Sequence, residues 1–239
     1  MQKSIKIAVV GKSESFNKSY SAIEEAFKKA NGIVKFSYET HWIDSKTIDK
    51  NNVGALLKEY DGILLPGGFG YVGTEGMILA IEYARNNKTP LFGICLGMQL
   101  TVIEFARDVA NLNEATSGEF DPESTQKVID RIPDLAKGTL LEGSYPCVLK
   151  ANSLIEKCYQ SLDIEETFNH GYTFNNEYAD LLEEKGLVLS ALSSDGKLIE
   201  AVELNDHPFF LAVQFHPELT HPDKPHPLFV SFLKALAEK

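Results

Sequence analysis

Cysteine is scarce in this chain. Cys95, Cys147 and Cys158 are the three in 239 residues, an odd number without metal-ligand spacing, which argues against a disulfide framework or a cysteine-built metal site. Long apolar runs are absent as well. No window approaches the roughly 20 apolar residues of a membrane span, and the run at residues 5–10 is too short for the core of a secretory signal. Cations are outnumbered, with 23 Lys and Arg against 34 Asp and Glu and a formal net charge of -11. That balance argues against a nucleic-acid or anionic-membrane surface, since both need clustered Lys and Arg. No internal repeat or low-complexity linker divides the chain. The expectation is one soluble, cytoplasmic domain over residues 1–239, working on a small molecule without metal or cofactor, its oligomeric state not legible.

What is present reads as α/β. Apolar, β-branched runs at residues 5–10, 34–38, 61–66 and 89–94 have strand character, and between them residues 19–30, 53–60 and 74–87 carry helical spacing, with Thr74 as a candidate cap. Such alternation implies parallel strands, here those at Ile7, Ile63 and Phe92 as neighbours, covered by helices on both faces. The short runs at 139–141, 145–149, 187–192 and 198–204 read as antiparallel additions to the same sheet, and residues 228–236 as a closing amphipathic helix. The fold class is therefore an open, mostly parallel sheet flanked by helices, with antiparallel additions in the C-terminal half. Gly11-Lys12-Ser13 echoes the end of a phosphate-binding loop, but residues 4–10 lack the earlier glycine that such a loop requires.

The chain is organised around Gly93-Ile94-Cys95-Leu96-Gly97. This is the Gly-x-nucleophile-x-Gly pattern of a strand-to-helix elbow, with cysteine as nucleophile. At such a turn the side chain is exposed on a strained backbone, and a thiol above a helix N-terminus feels the positive end of the helix dipole, which favours thiolate. The pentapeptide alone reads equally well as a buried apolar cysteine in a tight turn. Context comes from Gln214-Phe215-His216-Pro217-Glu218, which offers an imidazole and a carboxylate for a triad in which His216 takes the thiol proton and Glu218 orients it. Pro66-Gly67-Gly68-Phe69-Gly70 follows a strand, where open α/β sheets bind ligands. An N–H from this loop, together with that of Leu96, would hold a tetrahedral oxyanion.

Together these three segments resemble the class I glutamine amidotransferases. More narrowly, Gly76-Met77-Ile78, Glu104-Phe105-Ala106-Arg107, Gly118-Glu119-Phe120 and His207-Pro208-Phe209-Phe210 resemble the glutaminase domain of CTP synthase. The resemblance implies that Cys95 attacks the carboxamide of glutamine or another γ-glutamyl compound to give a γ-glutamyl thioester and ammonia. His216 and Glu218 complete the catalytic set, Gly68 and Leu96 hold the oxyanion, Gln99 and Glu119 contact the amino-acid part of the substrate, and Phe69 lines its pocket. Two departures stand out. The amidoligase domain that precedes this domain in CTP synthase is not in the sequence, which leaves open a stand-alone amide hydrolase or a subunit passing ammonia to a separate synthetase. Gly171, in Asn169-His170-Gly171-Tyr172, replaces an arginine that would clamp the substrate's carboxylate, and Val72 stands where CTP synthases tend to have arginine. A different class, a binding or regulatory protein that keeps the fold without turnover, is the alternative. His170 reads either as a substrate contact or as a solvent-facing loop residue; His41, His207, His221 and His226 read as structural or exposed, Cys147 and Cys158 as core or surface thiols.

Overall fold

The computed structural model describes residues 4–13, 16–220 and 223–238; the expectation for His221 falls outside them. Strands β1 (Ile5–Gly11), β2 (Tyr38–Asp44), β3 (Gly62–Leu65) and β4 (Leu91–Ile94) alternate with helices α1 (Phe16–Val34), α2 (Val53–Leu57) and α3 (Thr74–Asn87), and α4 (Leu96–Asp108) follows β4. These strands pair in parallel in the order β2-β1-β3-β4, so Ile7, Ile63 and Phe92 do lie on neighbouring strands. Every residue of β3 and β4 is buried. Strands covered on both faces read as continuous apolar runs without alternation.

Beyond α4 the chain makes β5 (Thr116–Ser117), β6 (Lys127–Arg131), β7 (Leu141–Leu149), α5 (Leu154–Tyr159), β8 (Asp163–His170), β9 (Tyr172–Phe174) and α6 (Ala179–Glu184). It closes with β10 (Val188–Ser193), β11 (Ile199–Glu203), β12 (Phe210–Val213) and α7 (Pro227–Ala237). β12 inserts parallel to β4, and β11, β10, β7 and β8 continue the sheet antiparallel, giving the order β2-β1-β3-β4-β12-β11-β10-β7-β8. The expected architecture, a parallel centre with antiparallel additions from the C-terminal half, is thus what the chain adopts.

Two local expectations are corrected, and a small second sheet is added. Residues 34–38 are not a strand: Val34 ends α1, Lys35 takes a left-handed φ of 58°, and β2 starts at Tyr38. β2 is a sheet edge whose residues are only partly buried, so its polar composition hides it behind the more apolar residues before it. Thr74 is the first helical residue of α3 and not its cap, a position held by Gly73 at φ 80°; the Thr74 hydroxyl donates to the Tyr71 carbonyl at 2.6 Å. Lastly, β5, β6 and β9 form a separate three-stranded sheet. The other outer strand, β8, carries Asp163, Glu165 and Glu166 and pairs only with β7; charge on an edge strand is the usual guard against pairing with a second chain, and it masks the strand in the sequence.

On one face of the sheet Phe27 of α1, Phe92 of β4 and Phe229 of α7 meet edge to face, with ring centroids 5.1 and 5.4 Å apart. On the other face α4 is buried from Leu96 through Ala106. Its one buried carboxylate, Glu104, is met by the Arg85 guanidinium of α3 at 2.6 and 2.9 Å. Among the described residues no helix is long and apolar enough to cross a membrane.

Candidate active site

The parallel pairing of β4 with β12 creates the site. Because both strands run the same way, their C-terminal ends lie side by side: Val213 is in register with Ile94, and the Cys95 N–H donates to the Val213 carbonyl at 2.7 Å. Residues following each strand therefore meet, although Cys95 and Gln214 are 119 positions apart.

Cys95 occupies the turn between β4 and α4 with φ 51° and ψ -102°. A side chain held in that region costs of order 1–3 kcal/mol, and such strain persists only where the surroundings impose it. Here they do. A Cβ on Gly97 would lie 2.5 Å from the Leu65 carbonyl oxygen, so only glycine lets α4 start this close to β3. Leu96 is the first residue of α4, and its N–H is one of the helix-opening donors that have no carbonyl partner within the helix.

β3 pairs with β4, which brings the loop after β3 over the thiol. A Cβ on Gly67 would stand 2.8 Å from His216 Cε1 and 3.5 Å from Cys95 Cβ. The loop thus passes close to both the cysteine and the imidazole, with no room for a side chain between them. Gly68 lies beside the Leu96 side chain, 3.2 Å from its would-be Cβ, and Phe69 is 56% exposed at the rim. Glu119 reaches the same loop, its Oε1 accepting the Gly70 N–H at 2.8 Å.

His216 Nδ1 and Glu218 Oε1 are 2.7 Å apart, and both side chains are largely buried. His216 is placed by its own N–H, which donates to the Thr167 carbonyl of β8 at 2.7 Å. Its Nε2 has no hydrogen-bond partner among the described residues. Burial pulls the His216 pKa down, but the adjoining Cys95, followed by the bond to Glu218, more than offsets this and holds it up at about 11. Cys95, His216 and Glu218 are therefore one electrostatic unit.

One neighbour escaped sequence reasoning. The Gln214 side chain, fully buried, donates through Nε2 to Cys95 Sγ at 3.6 Å. Gln99, expected to contact substrate, has its amide nitrogen bonded to Gln214 Oε1 at 3.2 Å and to the Tyr172 carbonyl at 3.0 Å. Gln214 lies inside the segment that flagged His216, but nothing in the spacing shows where its amide ends. His170 is not a solvent-facing loop residue: it is 1% exposed, with Nδ1 2.8 Å from the Tyr172 carbonyl. Desolvation drives its pKa down to about 4, so it is neutral at physiological pH.

Gly171 joins β8 to β9. Arg131 of β6 comes close to it: its Nη1 lies 3.8 Å from where a Gly171 Cβ would be. Its guanidinium donates to the Ala136 carbonyl at 2.5 Å and lies 6.0 Å from the centre of the Tyr172 ring. Among the described residues no group of three or more His, Cys, Asp or Glu is arranged to hold a metal ion.

Residues 17–235 match the family model described as glutamine amidotransferase class-I. The CTP synthases of Staphylococcus saprophyticus and Listeria monocytogenes are 46% and 45% identical over 97% and 98% of this chain, which spans 44% and 45% of their length, a little under half. Among solved structures, the glutaminase domain of Trypanosoma brucei CTPS with bound acivicin superposes with a TM-score of 0.91 at 34% identity, covering 99% of this chain and 95% of that one. A glutamine amidotransferase from Thermotoga maritima shares the fold with a TM-score of 0.59 at 14% identity, over 99% of this chain and 97% of that one. By sequence and by structure the chain belongs to the class I glutamine amidotransferases, and among them to the group formed by CTP synthase glutaminase domains.

Proposed function

We propose that this chain acts as one domain that hydrolyses the side-chain amide of glutamine, or of another γ-glutamyl compound, through a thioester on Cys95. The observation that carries the reading is the space at Gly67: a side chain there would run into His216 and reach Cys95, so the glycine-rich loop, the thiol-bearing residue and the imidazole share one pocket, with Glu218 behind the imidazole.

The Cys95 thiolate adds to the amide carbon, and the carbonyl electrons move onto oxygen, where the N–H groups of Gly68 and Leu96 stabilise the charge. His216 gives its Nε2 proton to the departing nitrogen. The C–N bond breaks and ammonia leaves. Acylation consumes the cysteine charge, and with it the largest influence holding His216 protonated, so the imidazole becomes a neutral base. It then takes a proton from water, hydroxide opens the thioester, and the γ-carboxylic acid departs with Cys95 restored. Glu218 keeps the imidazole in the required tautomer throughout.

The free Oε2 of Glu119 suits the substrate's α-ammonium group, Phe69 walls the pocket, and Gln99 supports its floor. Arg131 takes the place of the arginine missing at Gly171 and faces the α-carboxylate. Phe69, Tyr71 and Val72, exposed together at the rim, form the side from which a separate synthetase subunit would receive ammonia. In the related CTP synthases of full length the resemblance places that synthetase on the same chain.

The test is ammonia release from glutamine and a panel of γ-glutamyl amides, with peptide mapping after exposure to acivicin, the compound bound in the trypanosomal domain. Release that disappears in Cys95→Ala, with an adduct on Cys95, supports the reading. Neither release nor adduct would leave the non-catalytic binding protein in its place.

A further inference from the structure

Gly11-Lys12-Ser13 is the one segment singled out in the sequence that the chemistry above leaves unused, and the fold gives its lysine a defined place. β1 ends at Gly11, beside β3, whose own end opens into the loop of residues 66–70. Lys12 is 7% exposed, and its ammonium donates to the Phe69 carbonyl at 2.7 Å and to the Gly70 carbonyl. A buried ammonium is costly unless its hydrogens are satisfied, so bonds to these two carbonyls are strong and directional. Gly70 is tied from the other side as well, where its N–H donates to Glu119.

That arrangement bears on the oxyanion site. In a Pro-Gly-Gly-Phe-Gly segment the peptide planes can rotate at little steric cost, and a rotated Gly67–Gly68 peptide would turn the Gly68 N–H away from the reacting carbonyl. Pinning the carbonyls of the next two residues removes this freedom. We propose that Lys12 is a positioning residue that holds the glycine-rich loop in the orientation where the Gly68 N–H faces the thiol. It touches neither substrate nor sulfur. Glu119 shares the task, so a substrate ammonium arriving at its second oxygen would meet a loop already fixed by Lys12. This inference rests on the amidase reading above and adds what sets its oxyanion donor.

The experiment compares two reactions of the same sulfur. Amide hydrolysis passes through an oxyanion; alkylation of Cys95 by iodoacetamide does not. In Lys12→Met, kcat for ammonia release is expected to fall about 30- to 300-fold, overlapping the lower part of the roughly 100- to 1000-fold seen when one oxyanion donor is removed outright, with KM changed less than about threefold. The alkylation rate is expected to stay within about twofold of wild type. Lys12→Arg, which keeps the charge and its donors, is expected to recover at least tenfold of the lost kcat. A Lys12→Met enzyme with wild-type kcat would overturn the proposal. So would parallel loss of hydrolysis and alkylation, because that pattern means general damage to the site. If the wild-type chain itself releases no ammonia from any substrate, the amidase reading fails before Lys12 is tested, so the two failures are told apart.

Discussion

Gln214 donates an amide hydrogen to the sulfur of Cys95 across 3.6 Å, and is itself held by Gln99, whose nitrogen lies 3.2 Å from Gln214 Oε1. All three side chains are buried. A donor aimed at a thiolate stabilises the charged form, and a hydrogen bond to a charged group contributes about 1.5–3 kcal/mol. In Gln214→Leu the sulfur loses that donor. Alkylation of Cys95 at neutral pH should slow by roughly tenfold or more, since 1.4 kcal/mol is one decade. Gln99→Leu should show a smaller fall in the same direction, because Gln214 would stay but lose its anchor. Equal rates in all three proteins would separate the amides from the nucleophile.

The coupling between Cys95 and His216 makes a second expectation. Burial alone lowers the imidazole pKa, and Cys95 is the largest influence that raises it, ahead of Glu218. Replacing the thiolate by a neutral hydroxyl in Cys95→Ser therefore leaves burial opposed by Glu218 alone. The His216 ring should titrate at least about one unit lower in the variant, read from its nitrogen-15 chemical shifts. An unchanged titration would mean that the two residues do not form an ion pair.

Arg131 supplies the third. If it meets the substrate's carboxylate, Arg131→Leu removes a charge-assisted contact of about 1.5–3 kcal/mol and should raise KM for glutamine roughly 10- to 150-fold, with kcat little changed. An amide substrate without the α-carboxylate should respond far less. Adding Gly171→Arg in the same protein restores a guanidinium at the neighbouring position, and with it most of the lost affinity. No rescue by the second change, or an equal effect on the truncated substrate, would count against this role.

The parts legible from sequence are those in which a few adjacent residues carry the signal. β3 and β4 announce themselves as short apolar runs because both faces are covered, and the flanking glycines of Cys95 announce the turn because backbone from Leu65 crowds against it. The signal fails at the sheet edges. β8 carries Glu166 and His170 at buried positions where a strand pattern needs apolar residues, and β2 has no fully buried residue to set up an apolar alternation. It fails again where function rests on long-range side-chain partners: Lys12 on the Phe69 carbonyl, Arg131 beside Gly171, Gln214 on the sulfur. Asn169-His170-Gly171 looks like a solvated loop by composition, yet the register of Leu141 with His170 seals the ring inside.

Two buried carboxylates outside the site make a prediction about stability and pH. Glu200 of β11 is 1% exposed, and among the described residues its Oε2 has no hydrogen-bond partner. Burial, with a smaller push from Asp195, raises its pKa to about 8. In the unfolded chain the same group titrates near 4.3. Below that value both states are protonated and the residue is neutral to stability. As pH rises from about 4.5 to 8 the unfolded state loses its proton first, so unfolding is increasingly favoured across that window. Glu104, raised by burial to about 7 against the opposing influence of Arg85, acts with the same sign over a narrower range. Glu200→Gln removes only the first contribution. Its melting temperature should match wild type near pH 4.5 and exceed it by at least about 5 °C at pH 8.5, the size expected when 1 kcal/mol moves a domain of this length by ~2–4 °C. Glu104→Ala should behave oppositely, because it strands the half-buried Arg85 guanidinium and costs about 3–5 kcal/mol. Thermal melts from pH 4.5 to 9 test both, and a Glu200→Gln curve running parallel to wild type would show that this carboxyl group is hydrated in solution.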